Sequence, residues 1–381
     1  MTVVEFHFDY NYKDIISVPA KALRAKKILL SSIFILIALI LFNCCAYLGL
    51  IIEGYSIPDI YNNHGLLPID NFALSSYPAI LFYYYIGPFL ALFSIMTGTM
   101  VVAVIDFEQL RGNPFLSYIQ SIKFGLGRIR QLFLSELVIA LFIALIVIMG
   151  IIVGLITRIP YIGELLYSVF FFFPNFIVAL FTTLAIFIQL LSVLIMPAAV
   201  AADYKGETFR SIVETFLTIT RQPVRWVGYT AYSIITAKVA SFVFAYFAYR
   251  AVQLLQFMTG LGGGAKIDKI IASGISHLPL DSPVVQFIAN LFPGINFGFE
   301  PLFPTQVTSE SLAGYIMAIS LFLIFLIIWG YVLSIVATGQ AYAFAIIKKK
   351  RDNYKITDED SLFFESAWVD RQTNSEDYSK Q

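Results

Sequence analysis

The sequence predicts an all-α fold: a polytopic transmembrane helical bundle of six spans, with seven as the rival count, and amphipathic helices at one interface. Three observations carry that prediction. Of 381 residues, 59% are hydrophobic and only 13% charged, against about half and roughly a quarter in a soluble domain. Such a chain has too little polar surface to cover itself in water, and a bilayer removes that requirement. Six apolar runs are long enough to cross, since a spanning helix needs about 20 mostly apolar residues. The cations between those runs are sorted almost entirely to one side.

Taken in order, the runs are 28–52, 79–105, 132–155, 175–202, 226–249 and 312–346. A polar and basic leader, 1–27, precedes the first, which is longer than the core of a signal peptide, so no removable leader is expected. The fourth run is the difficult one. From Leu165 to Ala202 the chain is almost unbroken apolar, too long for one helix and short for two with a turn. Pro174 disfavours helix at the residue before it. The segment 161–173 is therefore expected to be a short interfacial or re-entrant helix, and a seventh span there is the rival.

Orientation follows from Lys and Arg. The leader, the 106–131 and 203–225 loops and the tail after Ile347 hold twenty cations, and the opposite side holds four: Arg158, Arg250, Lys266 and Lys269. The positive-inside rule places the twenty, and with them both termini, in the cytoplasm. The two basic loops are also alike. Each passes from an Asp and an aromatic (Asp106-Phe107, Asp203-Tyr204) through a Gly (Gly112, Gly206) to a Phe three residues on (Phe115, Phe209), then a helix.

In the first loop Asn113-Pro114 suits a helix start, and Phe115, Ile119, Ile122, Leu126, Ile129 and Phe133 recur at helical spacing. In the second, Phe209, Ile212, Val213 and Phe216 form the stripe, ended by Pro223. Helices of this kind lie at an inner membrane interface, cations toward anionic lipid headgroups, or else serve a protein partner.

The remaining loop of size, 255–311, opens with Gly260, Gly262, Gly263 and Gly264, read as a flexible linker, and holds a short helix expected from Ser282-Pro283 to Phe292. The tail from Lys348 to Gln381 is hydrophilic and mixed in charge, a composition that predicts partial disorder. Its cluster Asp358, Glu359 and Asp360 reads as a solvated acidic run.

Charges inside a bilayer are costly and usually face protein or water. Lys238 lies almost midway along 226–249, too deep for its stem to escape fully. It reads as a hydrogen-bonded tie between helices, a substrate or proton site, or a snorkelling side chain. Glu136, one turn into the third span, is the acidic candidate for its partner, with Gln189, Asn43 and Gln340 as uncharged alternatives. Lys238 and Glu136 thus form the candidate intramembrane polar site.

Arg250 reads as an interface anchor, Trp226 as part of the inner aromatic belt, and Phe170 to Phe173 as lipid-facing bulk. Close helix contacts are expected at Ala237, Ser241 and Ala245 and at Ala199 and Ala202. Cys44 and Cys45 are adjacent and read as small apolar residues. His7, His64 and His277 have no metal-ligand spacing. There is no phosphate-cradling loop, HExxH or nucleophile elbow, and no cofactor, metal, nucleic acid or catalytic set is implied.

Four stretches, DIISVPAKALRAKKILL (14–30), RIPYIGELL (158–166), MPAAVAADYKGETFRSIVETFLTITRQPVRWVGY (196–229) and TGQAYAFAIIKKKRDN (338–353), resemble an uncharacterised family of bacterial multi-pass membrane proteins. Pro197, Asp203, Gly206, Phe209, Arg210 and Ser211 match its pattern, while Gln222-Pro223 stands where that family has Arg-Pro. The resemblance implies a bacterial cytoplasmic membrane and this topology, and no substrate, cofactor or active residue. Two functions are compatible with the sequence: a non-enzymatic assembly or accessory component, and a small-molecule transporter or permease using Lys238.

Overall fold

The computed structural model describes residues 8–64, 67–70, 72–203, 205–278, 312–359, 361 and 363. Every regular element among them is helical. In chain order they are α1 (Tyr12–Ile16), α2 (Val18–Ala22), α3 (Ala25–Glu53), α4 (Ile57–His64), α5 (Tyr77–Leu110), α6 (Tyr118–Ile156), α7 (Ile162–Ala202), α8 (Thr208–Arg221), α9 (Pro223–Gly263), α10 (Ala265–Ser276) and α11 (Leu312–Asp352). Six of these, α3, α5, α6, α7, α9 and α11, are long and apolar enough to cross a membrane. That is the architecture of an integral membrane protein. The helix expected over 282–292 lies outside the described residues.

Four boundaries differ from the sequence reading, each for a local reason. The segment 161–173 is not a separate helix, because α7 runs unbroken from Ile162 to Ala202. A π turn over Tyr167–Phe171 lies just ahead of Pro174, with the Phe172 N–H donating five residues back to the Tyr167 carbonyl, and this wider pitch lets the helix pass a residue that has no N–H to donate. Helix α5 uses the same device, with a π turn over Leu81–Ile86 just before Pro88.

Asn113-Pro114 does not start a helix either. Gly112 adopts φ +84°, the left-handed conformation that closes helices, so Asn113 finishes α5: its N–H donates to the Glu108 carbonyl at 2.8 Å. Helix α6 starts four residues later on a capping box, in which Ser117 Oγ accepts from the Gln120 N–H and Gln120 Oε1 from the Ser117 N–H, both at 3.1 Å. The amphipathic stretch and the third span are then one continuous helix. The Gly-rich stretch is likewise no linker as far as Gly263, which ends α9; the chain turns only at Gly264, at φ +58°. In the tail, Ile356 is fully buried and Ser361 is buried as well.

The chain forms two compact units. The first comprises 8–11, 103–229 and the described residues after 339, so it includes both basic loops and the described ends of the chain. In it α6, α7 and α8 pack against one another, yet none of the most apolar stretch of α6 is buried by protein. Helix α8 turns Ser211, Thr215, Thr218 and Ile219 inward and leaves Phe209 76% exposed. Its small hydroxylated side chains allow close approach to its neighbours; of its apolar stripe, Phe209 and Phe216 stay exposed while Ile212 and Val213 are half-buried.

The second unit comprises 12–102 and 230–339. Its helices meet through small residues, because lipid tails supply no hydrophobic drive between helices. Ser32 donates to the Leu326 carbonyl at 2.9 Å, Ser334 to the Ala22 carbonyl at 2.9 Å and Ser94 to the Phe34 carbonyl at 3.0 Å. On α9, Ala237, Ser241 and Ala245 are buried as their four-residue spacing predicts.

Gly330 marks one of the closest of these approaches. A Cβ there would lie 2.6 Å from the Ile28 carbonyl oxygen and 2.1 Å from Ser32 Oγ. Gly330→Ala is expected to cost roughly 1–3 kcal/mol by overpacking, read as a lowered unfolding temperature in detergent. Gly150→Ala, where nothing lies within 4 Å, is the control and is expected not to lower it.

Candidate functional site

The densest polar chemistry in the first unit gathers where α5 ends. Arg111 and Glu108 stand one turn apart with side chains fully shielded from solvent. The guanidinium bonds Glu108 Oε1 at 3.1 Å, donates through Nε to Glu359 Oε2 at 2.9 Å and through Nη2 to the Ala202 carbonyl at 3.3 Å, and its Nη2 also pairs with Glu359. Glu108 Oε2 accepts from Ser361 Oγ and, at 3.4 Å, from Asn113 Nδ2, which also reaches Ser361 at 3.2 Å. The Tyr354 hydroxyl donates to Glu359 Oε1; burial, and then the Glu359 carboxylate, push that phenol up. A buried guanidinium must be neutralised and hydrogen-bonded, and two carboxylates from distant parts of the chain do so here.

A second hub forms around Asp203 at the end of α7. Asp203 Oδ2 accepts from Gln131 Nε2 at 3.0 Å and from the Glu207 N–H at 2.7 Å, and Oδ1 lies 3.5 Å from Arg210. Gln131 Nε2 also meets Ser211 Oγ at 2.8 Å, and Arg128 donates to Gln131 Oε1 at 2.9 Å. Gly206 sits at φ +77°, and a Cβ on it would fall 1.9 Å from Arg128 Nη1. Glycine here serves two ends: a backbone that L side chains resist, and room for a guanidinium. The likeness of the two loops therefore extends to backbone geometry, with Gly112 and Gly206 both left-handed. Further along, Glu214 of α8 pairs with Arg351 at 2.6 Å and Lys348 at 3.9 Å, and buried Trp226 donates to Gln340 Oε1 at 3.2 Å.

The two residues singled out from the sequence have different fates. Glu136 lies between α6 and α7, bonded to Gln189 and to Ser192 Oγ, the latter at 2.7 Å. Lys238, in the second unit, is exposed, with its helix neighbours Ala237 and Ser241 fully buried. Arg250 lies exposed over the ring of Tyr246, 5.2 Å from its centroid. Cys44 and Cys45 are both free.

Sequence reasoning missed Lys27, counted as a leader cation. It is fully buried, its ammonium donating to the Lys21 carbonyl at 3.1 Å and to Thr338 Oγ1 at 3.4 Å. It also missed Arg111, counted as a loop cation, and Glu359, counted as a solvated acid. Trp226, read as part of the inner aromatic belt, is a buried hydrogen-bond donor instead.

Chemically, each carboxylate named in these hubs is met by a cation or a hydrogen-bond donor. Among the described residues no group of three or more His, Cys, Asp or Glu is placed to hold a metal ion. Arg111→Gln leaves buried Glu108 and half-buried Glu359 without their shared cation, and is expected to cost roughly 3–5 kcal/mol. Glu108→Gln in the same background is expected to recover part of that loss. Thermal unfolding of the single and double variants measures both.

The chain matches no family model, no curated protein and no solved structure.

Proposed function

We propose that this protein is a non-enzymatic assembly or accessory component of a bacterial cytoplasmic membrane, with both termini inside the cell. The observation that carries the proposal is the outer surface of the first unit. Phe115 is 90% exposed and Phe209 76%. Ile119, Leu126, Phe216 and Val224 are also exposed, and the cations Lys123, Arg130, Lys205, Arg221 and Arg225 lie exposed among them in sequence. Beneath this surface the charges are spent on one another, in the Arg111 and Asp203 hubs, which hold the exposed elements in place. A rigid face with apolar anchors and a cationic surround suits docking of an acidic partner protein, with anionic lipid headgroups taking the cations nearest the bilayer.

Orientation rests on the cation asymmetry, and the membrane's bacterial origin on the family resemblance. The continuity of α6 supports a protein partner over the lipid surface for its first turns. At 1.5 Å per residue a helix of 39 residues far exceeds a hydrocarbon core of about 30 Å. A stripe coaxial with the span points away from the bilayer.

The alternative, a permease built on Lys238, needs that ammonium to face a polar cavity, whereas it lies on the exposed side of α9. Lys238→Met is accordingly expected to change stability by less than about 0.5 kcal/mol and to leave solute uptake by proteoliposomes unchanged. Loss of an uptake activity in this variant would restore the transport reading. For the assembly reading, a photo-crosslinking residue placed at Phe209 or Phe115 is expected to trap a discrete protein in intact cells. Adducts with lipid alone at both positions would sink it.

A further inference from the structure

Glu136, Gln189 and Ser192 form a polar island between α6 and α7, the two helices that expose most of their apolar length. Within it the hydrogen bonding is lopsided. Glu136 Oε2 accepts twice, from Gln189 Nε2 and from Ser192 Oγ. Glu136 Oε1 and Gln189 Oε1 are both buried, and neither has a hydrogen-bond partner among the described residues. Two acceptors on paired groups thus lack a donor, in surroundings where an unmet polar group is expensive.

An amide and a carboxylic acid have complementary edges. The amide N–H donates to the acid carbonyl, and the acid O–H donates back to the amide oxygen. The first of these bonds is present. One proton on Glu136 Oε1 supplies the second donor, provides for both orphaned oxygens and removes the charge. A carboxylate would instead leave both buried oxygens without a donor.

The neighbouring charges do not supply that cation. On α6, Arg128 is committed to Gln131 and lies over the Phe124 ring, and Arg130 is exposed. On α7, Gln189 and Ser192 carry no charge, and Tyr167 of the π turn stacks edge-on against Phe172. On α8, Arg210 pairs with Asp203, Glu214 pairs with Lys348 and Arg351, and Arg221 is exposed.

We propose that Glu136 is a proton-binding site within the membrane-spanning hairpin, held at neutral pH as a carboxylic acid in a two-bond pair with Gln189. Protonated, it ties α6 to α7. Releasing the proton replaces one of the two bonds by repulsion between oxygens and loosens the hairpin, so the packing of these helices responds to pH. The ligand is a proton, and the proposal stands whether or not the protein assembles with a partner.

Infrared difference spectroscopy of reconstituted protein, wild type minus Glu136→Gln, tests this directly. The expected result at neutral pH is a carboxylic-acid C=O band above the amide I region that vanishes when the pH is raised. Glu136→Gln keeps a hydrogen-bonded amide in place and is expected to fold. Gln189→Leu provides a second reading that needs no change at Glu136. It removes the amide partner and is expected to shift the acid band to higher frequency and to make it titrate differently. A carboxylate signal at neutral pH overturns the proposal. So does a signal that moves on adding sodium, which would assign the two oxygens to a metal cation, or a band indifferent to Gln189→Leu.

Discussion

Arg111 sits where a guanidinium cannot remain without counter-charge, and much of the first unit is arranged around meeting that demand. The carboxylate one turn earlier, Glu108, neutralises it from the same helix. Glu359 neutralises it from the far end of the chain, and the Ala202 carbonyl, free at the end of α7, takes a further N–H. One side chain therefore fixes the end of α5, the end of α7 and the segment after α11 with respect to one another. Asp203, beside Ala202 in the chain, carries the constraint on through Gln131 and Arg210 to α6 and α8.

The two units solve the packing problem with different physics. In the second, helices approach through glycines and serines: Gly98 faces Phe34, Gly330 faces Ser32 and Gly339 faces Ser233. Hydroxyls bond the carbonyls of neighbouring helices. That is the economy of a low-dielectric medium, where close contact and internally satisfied backbone do the holding. In the first, charged pairs and loop backbone dominate, and two left-handed glycines turn the chain. The division follows the sequence, since the charged residues cluster in the segments that join the spans.

Much of this was legible in the linear chain, and the failures have a common cause. Six spans, the small-residue stripe of α9 and the likeness of the two basic loops all follow from local composition and spacing, and all are present. Pro174 misled because the remedy, a π turn, is invisible to a rule that treats proline as a stop. Asn113 misled because the conformation of Gly112 decides which helix it caps. Lys27, Arg111 and Glu359 were taken as solvated because they lie in polar stretches, yet burial depends on contacts such as Arg111 to Glu359, 248 residues apart. For Lys238 the sequence left three readings open, and its exposure on α9 sits with the snorkelling one. Glu136 was flagged as the acidic candidate partner for Lys238, and its own amide partner, Gln189, was named only as an alternative for Lys238.

The pairing of Arg111 with Glu359 also bears on how the protein is made. A membrane protein is threaded into its bilayer from the N-terminus as the ribosome elongates it. Arg111 arrives early, with Glu108 beside it, while Glu359 and Ser361 are not translated until all six spans are complete. Until then the end of α5 holds a guanidinium with half its coordination missing, accessible to water or to a chaperone. Closure of that site is therefore a late event in biogenesis, and the segment around Glu359 and Ser361 acts as the latch that completes it.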